Sequence, residues 1–180
     1  MFSFQSLCLP YNALYLTKKA LEYYDDVTKE KYIPHCIEPS LGVDRLILAL
    51  ICSAYDEDIV AGGKKGAGEA RSLLKFHPSV APIKVAILPL LKNRDVLVDK
   101  AREIHDKLKR RWNVSWDASG AIGRRYRRAD EVGTPFCITV DFETVEGDGT
   151  VTLRERDGTE QIRIAPDKVL AYLSEKIDGY

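Results

Sequence analysis

Net charge is missing from this sequence: 27 Lys and Arg balance 27 Asp and Glu over 180 residues, so the overall balance marks neither a nucleic-acid binder nor an acidic tail protein. Any C-x-x-C pair is missing too. Four scattered cysteines, Cys8, Cys36, Cys52 and Cys137, and histidines at 35, 77 and 105 fit neither a zinc site nor a secreted disulfide framework. We read the thiols as reduced and mostly buried, in a cytosol-like compartment, and expect no metal site. No apolar run reaches the ~20 residues of a membrane span. The opening MFSFQSLCLPYNALYL has no basic residue before Lys18 and no signal-peptide layout. A soluble cytoplasmic protein without a membrane partner is expected. What is present is apolar content, 45% of residues, enough for one domain or a compact domain with an appendage.

Taken in order, residues 1–20 show no clean period, and Pro10 interrupts any helix. Residues 21–33, aromatic and β-branched on both sides of the polar stretch 25–29, favour a hairpin, with a helix from Ala13 to Tyr24 as rival for the first arm. Ile33 to Ile37 reads as a buried strand that turns at Glu38-Pro39-Ser40 into a helix, where Val43, Leu46, Ile47, Leu50, Ile51 and Ala54 recur at helical spacing. Its apolar girth calls for cover on more than one side. The stretch 61–68 is rich in glycine and lysine, but a phosphate loop needs Ser or Thr after its Gly-Lys and Lys64 is followed by Lys65, so a flexible linker is expected. Beyond it, strands and helices alternate: a strand at 84–88, a helix from about 95 to 111, a strand at 112–116, a basic helix at 122–132 and a strand at 135–142. A hairpin of 150–155 with 161–164 and a helix opened by Pro166 follow. This order predicts an α/β domain over 83–180, with a mixed, mostly parallel five-stranded sheet and about three helices. Residues 58–82 would be a linker, and 1–57 a strand and helix taken from some other sheet.

Two places concentrate polar chemistry. Pro39 holds Glu38 on extended backbone while the following helix offers its first N–H groups to an anion; with Ser40 and Arg45, that suits a ligand bearing an amine and a phosphate or carboxylate. The bland alternative is a helix cap beside a surface arginine. Between Ala101 and Arg128, nine basic residues against three acidic ones leave a local excess of six positive charges. The run Gly123-Arg124-Arg125-Tyr126-Arg127-Arg128 is its densest part; guanidinium forks grip phosphates, and a ring stacks on bases. The alternative is a solvated helix face whose arginines pair with Asp130 or Glu131. Four arginines in five positions cannot share one helical face.

Three stretches carry a family resemblance. PHCIEPSLGVDR, Pro34 to Arg45, resembles the third signature motif of class II glycyl-tRNA synthetases. The run from Ser119 to Ile164, which opens SGAIGRRYRRADEVGTPFCITVDF, resembles the C-terminal anticodon-binding domain of the same enzymes, and LLKFHPSVAPIKVAILPL, Leu73 to Leu90, resembles the join between the two. The resemblance implies a C-terminal portion of a glycine-tRNA ligase, active in translation. It implies that Glu38 meets the glycine ammonium and Ser40 orients it, with Pro39, Leu41 and Gly42 completing a pocket too small for larger amino acids. Gly42, Val43, Asp44 and Arg45 would contact ATP, a substrate of the complete enzyme with Mg2+, and Arg45 would stabilise triphosphate charge. Lys109, Arg110, Arg111, Arg124, Arg125, Tyr126, Arg127 and Arg128 are put forward as the region that meets glycine tRNA. The family's other two motifs lie upstream in its members, so these residues alone are expected neither to activate glycine nor to hold ATP, and to need the remainder of the catalytic domain, a companion chain or a second copy. The runner-up is a non-catalytic nucleic-acid-binding module derived from such a domain.

Overall fold

The structure, a computed structural model, describes residues 22–34, 39–60, 69–158 and 160–179. The chain divides into two compact units, Met1–Ile47 and Leu48–Tyr180. In the first, β1 (Tyr23–Tyr24) and β2 (Lys31–Tyr32) form the expected hairpin, Tyr23 opposite Tyr32 with their rings edge-on at 5.7 Å. Asp25 shapes the turn: its carboxylate accepts the Val27 N–H at 2.8 Å, and Lys29 takes up φ 61°. The ladder stops at Tyr32. Ile33 is exposed and in no strand, contrary to the buried strand expected from 33 to 37, because Pro34 has no N–H to extend a ladder; residues 35–38 lie outside the described ones. Helix α1 (Val43–Ala54) opens with Leu46 N–H donating to the Gly42 carbonyl at 3.0 Å and runs across the boundary between the units. Val43, Leu46, Ile47, Leu48 and Ile51 are all exposed on it.

The second unit holds a feature absent from the sequence reading. Where 58–82 reads as linker, β3 (Tyr55–Val60) pairs antiparallel with β4 (Glu69–Leu74), Tyr55 opposite Leu74; residues 61–68 between them lie outside the described ones. The alternation then follows as β5 (Val85–Pro89), α2 (Asp95–Lys109), β6 (Val114–Trp116), α3 (Ile122–Val132), β7 (Phe136–Val140), α4 (Phe142–Glu146), β8 (Val151–Glu155), β9 (Gln161–Ile164) and α5 (Pro166–Asp178). The mixed sheet has the order β6-β5-β7-β8-β9, with β6, β5 and β7 parallel and β8 and β9 added antiparallel. The third parallel strand stops two residues before the expected Phe142, since Asp141 caps α4: its Oδ1 accepts the Thr144 N–H at 3.1 Å, and the Thr144 hydroxyl accepts the Asp141 N–H at 3.2 Å.

Strand alternation gives the sheet two buried faces. On one, Val85, Ile87, Phe136, Ile138 and Leu153 pack with Leu97, Ile104 and Leu108 of α2 and with Val169, Leu173 and Ile177 of α5. On the other, Ala86, Leu88 and Cys137 meet Ala129, Ile122 and Tyr126 of α3. The hairpin is tied in by buried charge. Asp130 of α3, 1% exposed, accepts from Arg71 of β4 at 2.7 Å and from both terminal nitrogens of Arg154 of β8 at 2.9 Å. Arg71 also grips Asp58 of β3 at 2.5 and 2.7 Å, and Arg156 reaches the carbonyls of Leu74, Phe76 and Gly133, each at 2.9 Å.

Candidate nucleic-acid interface

Parallel strands joined by helical crossovers gather their strand-to-helix turns at one edge. Here β5, β6 and β7 end at Pro89, Trp116 and Val140, and α2, α3 and α4 all start beyond those ends. The basic segment read as one region is therefore divided. Arg124, in the first turn of α3, belongs to the carboxyl edge, and Arg127 stands at the middle of the helix, one turn further on. Lys109, Arg110 and Arg111 close α2, which runs back about 22 Å over its 15 residues to the amino edge, where β6 begins. The two halves of the charge excess stand at opposite ends of the sheet.

The arginines of α3 also part company. Arg124 and Arg127 are exposed. Arg125 is buried, its Nε and Nη2 donating to the Gly120 carbonyl at 2.9 and 2.6 Å and its Nη1 to the Pro89 carbonyl at 2.6 Å, which pins the β6–α3 loop to the end of β5. Arg128 turns back on that loop, donating to Asp117 at 3.0 and 2.5 Å and to the Ser119 carbonyl at 2.7 Å. Tyr126 is no open stacking platform: its hydroxyl bonds Thr139 at 2.6 Å, the Arg154 guanidinium lies 4.8 Å from its ring centroid, and burial pushes its pKa up. At the amino edge Arg111 pairs with Asp178 at 2.7 Å and lies over Trp112, while Lys109 and Arg110 are exposed.

The carboxyl edge has members that charge counting missed. Arg94, just before α2, lies 5.8 Å from the Phe142 ring centroid at the start of α4. Arg163 of β9 donates to both Asp141 oxygens at 3.0 and 3.1 Å. Burial raises the pKa of Asp141, but Arg163 and Thr144 outweigh it and hold the carboxyl below its ordinary value. Asp117 balances likewise, burial opposed by the Ser119 N–H and Arg128 with a net lowering. A signal was there to find: Arg94 follows a strand that ends in proline, the position where a parallel α/β unit presents ligand-facing residues.

Of the first candidate site, Glu38 lies outside the described residues. Pro39, Ser40, Leu41 and Gly42 are exposed on the approach to α1, and Val43, Asp44 and Arg45 form its exposed first turn, with the Asp44 acid at the positive end of the helix. Among the described residues no cluster of His, Cys, Asp or Glu could hold a metal ion, and no helix is long and apolar enough to cross a membrane.

Comparison with known proteins bears on this geometry directly. The anticodon binding domain family matches residues 84–176, which begin at the foot of β5 and end within α5. A glycine-tRNA ligase of Clostridium tetani is 51% identical over 89% of this chain and 33% of its own length. One from Thermobifida fusca is 52% identical over 88% of this chain and 34% of its own. The chain thus spans about a third of the length of the curated relatives it matches. The RNA binding domain of threonyl-tRNA synthetase from Cryptosporidium parvum, 22% identical, superimposes with a TM-score of 0.51 over 57% of this chain and 26% of its own, a likeness of fold. With a family match that takes in the whole five-stranded sheet, the chain belongs to the anticodon binding domain family.

Proposed function

We propose that the carboxyl edge of the five-stranded sheet holds the anticodon arm of glycine tRNA. The observation that carries this reading is the family match across β5 to α5, on a sheet whose helix-starting edge bears Arg94 and Arg124, with Arg127 one turn further along α3. Exposed guanidinium groups at the turns of a rigid sheet are suited to a folded phosphate backbone, and helix N-termini add N–H groups and a favourable dipole. The test is binding of glycine tRNA against other tRNAs over a range of salt. Preference for glycine tRNA, with affinity falling linearly in log salt, is expected; equal affinity for every tRNA at each ionic strength would remove the anticodon reading.

The reading extends to the stretch before α1. Glu38 and Ser40 would meet the glycine ammonium, Pro39, Leu41 and Gly42 would shape the pocket, and Val43, Asp44 and Arg45 with Gly42 would face ATP and its Mg2+, as one wall of a site for glycine activation. What supports this is the 51% identity to a glycine-tRNA ligase over 160 residues. In-line attack on a triphosphate draws on positioning and charge from several loops, so these 180 residues alone are expected to show background glycine-dependent pyrophosphate exchange. Partners follow from the exposed apolar girth of α1: the remainder of a synthetase catalytic domain, on the same or a companion chain, or a second copy. A cytoplasmic setting is consistent with the unpaired thiols of Cys52 and Cys137.

A further inference from the structure

We infer that the groove between α2 and α5 is a docking site for an acidic, extended segment of a partner protein, one that lodges an apolar side chain over Leu170 and sets carboxylates against Arg110. The inference is independent of the RNA reading above, because the groove lies on the sheet face that α2 and α5 cover, with α3 on the other. Its origin is local. Helix α5 opens with Ala165 and Pro166, whose short side chains leave room where the helix passes α2. Ile104, Leu108 and Val169, each at most 3% exposed, seal the contact between the helices. Above them Pro166 is half-buried and Leu170 is 42% exposed, and these supply the apolar surface of a groove of about 400 Å³. That size suits one or two side chains of a strand-like segment and lies low in the ~300–1,000 Å³ of clefts that enclose whole ligands.

Charge decides the partner's sign. Lys107, Arg110 and Arg111, at the end of α2, rim the groove against Asp167 alone, so three cations face one acid. Helix C-termini favour cations, which accounts for Lys107 and Lys109 in the last turn of α2, and Lys107 is already paired with Glu103 at 2.9 Å. Arg111 is held too, paired with Asp178 at 2.7 Å and lying 5.1 Å from the Trp112 ring centroid. Arg110 is different: it is exposed, and among the described residues no carboxylate pairs with it. An apolar centre with a charged rim is the layout of a protein contact, where an anchor side chain fills a pocket and rim charges choose the partner. Nucleic acid fits it less well. Trp112 is 8% exposed with Arg111 over its ring, and Lys176 lies 5.8 Å from the Tyr172 ring centroid, so neither ring offers a base an open face, and Asp167 repels phosphate.

The test uses the 180-residue chain, with the backbone amide resonances of Arg110 and Leu170 followed by NMR at low salt. The probes are the blocked peptides Glu-Glu-Leu-Phe-Glu-Glu, Glu-Glu-Ser-Ser-Glu-Glu and Lys-Lys-Leu-Phe-Lys-Lys, and hexauridylate. Saturable shifts with the first peptide, affinity about fivefold lower or worse for the serine peptide, and no shifts with the lysine peptide or hexauridylate are expected. No saturable shift with the first peptide overturns the proposal. So does equal affinity for the serine peptide, which makes the contact one of charge alone, for the lysine peptide, which removes the acidic preference, or for hexauridylate, which makes the rim a nucleic-acid patch. Arg110→Glu and Leu170→Ser, both at exposed positions, carry the assignment to residues. Each should weaken binding of the first peptide by about tenfold, and only Arg110→Glu should flatten the salt dependence of its affinity. Unchanged affinity in either variant would place the binding elsewhere and overturn the groove.

Discussion

Asp130 is the residue on which the second unit turns. From the sequence it reads as a surface partner for the neighbouring arginines of α3, whereas the structure buries it between Arg71 and Arg154, 59 and 24 residues away. Nothing local announces such a pairing, because both partners arrive from strands whose docking is itself long-range. Breaking a buried pair leaves uncompensated charge, so Asp130→Ala should cost about 3–5 kcal/mol in denaturant unfolding. Asp58→Ala, at the more open end of Arg71, should cost about 1.5–3 kcal/mol. Equal and small effects would mean that the network adds little. Asp141 makes a prediction in pH. Its carboxyl is held below its ordinary value when folded, so its contribution to stability is complete above the unfolded value of about 3.9 and is lost as pH falls through the folded one. Wild type should therefore lose more stability than Asp141→Asn between pH 5 and pH 2, and parallel pH profiles would contradict the assignment.

The alternating elements were legible because each carries its own period. Helix α3 falls on the expected residues 122–132, and β8, β9 and α5 lie within a residue of expectation. The hairpin β3–β4 was not legible. Its second strand, EARSLL, is built largely of helix formers, and the glycines and lysines of 61–68 read as linker; what holds it is Arg71 and Leu73 buried against distant elements. Its seat on α3 passes through Gly133, the left-handed cap at φ 83°, whose N–H donates to the Asp130 carbonyl at 3.0 Å. A Cβ there would sit 2.5 Å from Phe76 Cδ2 and 2.8 Å from the Leu74 carbonyl oxygen. Gly133→Ala should thus cost more than the ~1–2 kcal/mol of the backbone conformation alone and should raise hydrogen exchange in β4. A neutral substitution would show that the hairpin yields freely. The first candidate site was legible only as residue types: Glu38 lies outside the described residues, and Pro39 to Arg45 are exposed on the approach to α1 and in its first turn.

For the whole molecule, zero net charge concealed the separation that matters. The basic residues of α3 and those closing α2 are near in sequence, yet the crossover sends them to opposite edges of the sheet, and only the topology reveals which group faces the strand ends. The exposed apolar residues of α1 make a second claim at this scale: the chain should self-associate at micromolar concentration or bind the remaining synthetase portion. Sedimentation that shows a monodisperse monomer at all concentrations would contradict the first alternative, and no gain in order with the remainder of a synthetase added would contradict the second. The central claim is that glycine tRNA meets the carboxyl edge. The most direct measurement is the salt dependence of glycine tRNA binding for wild type, for Arg124→Gln with Arg127→Gln, and for Lys109→Gln with Arg110→Gln. The α3 pair should lower the slope of log affinity against log salt by about 2 and the α2 pair by much less. The reverse order, or equal losses from both edges, would contradict the account.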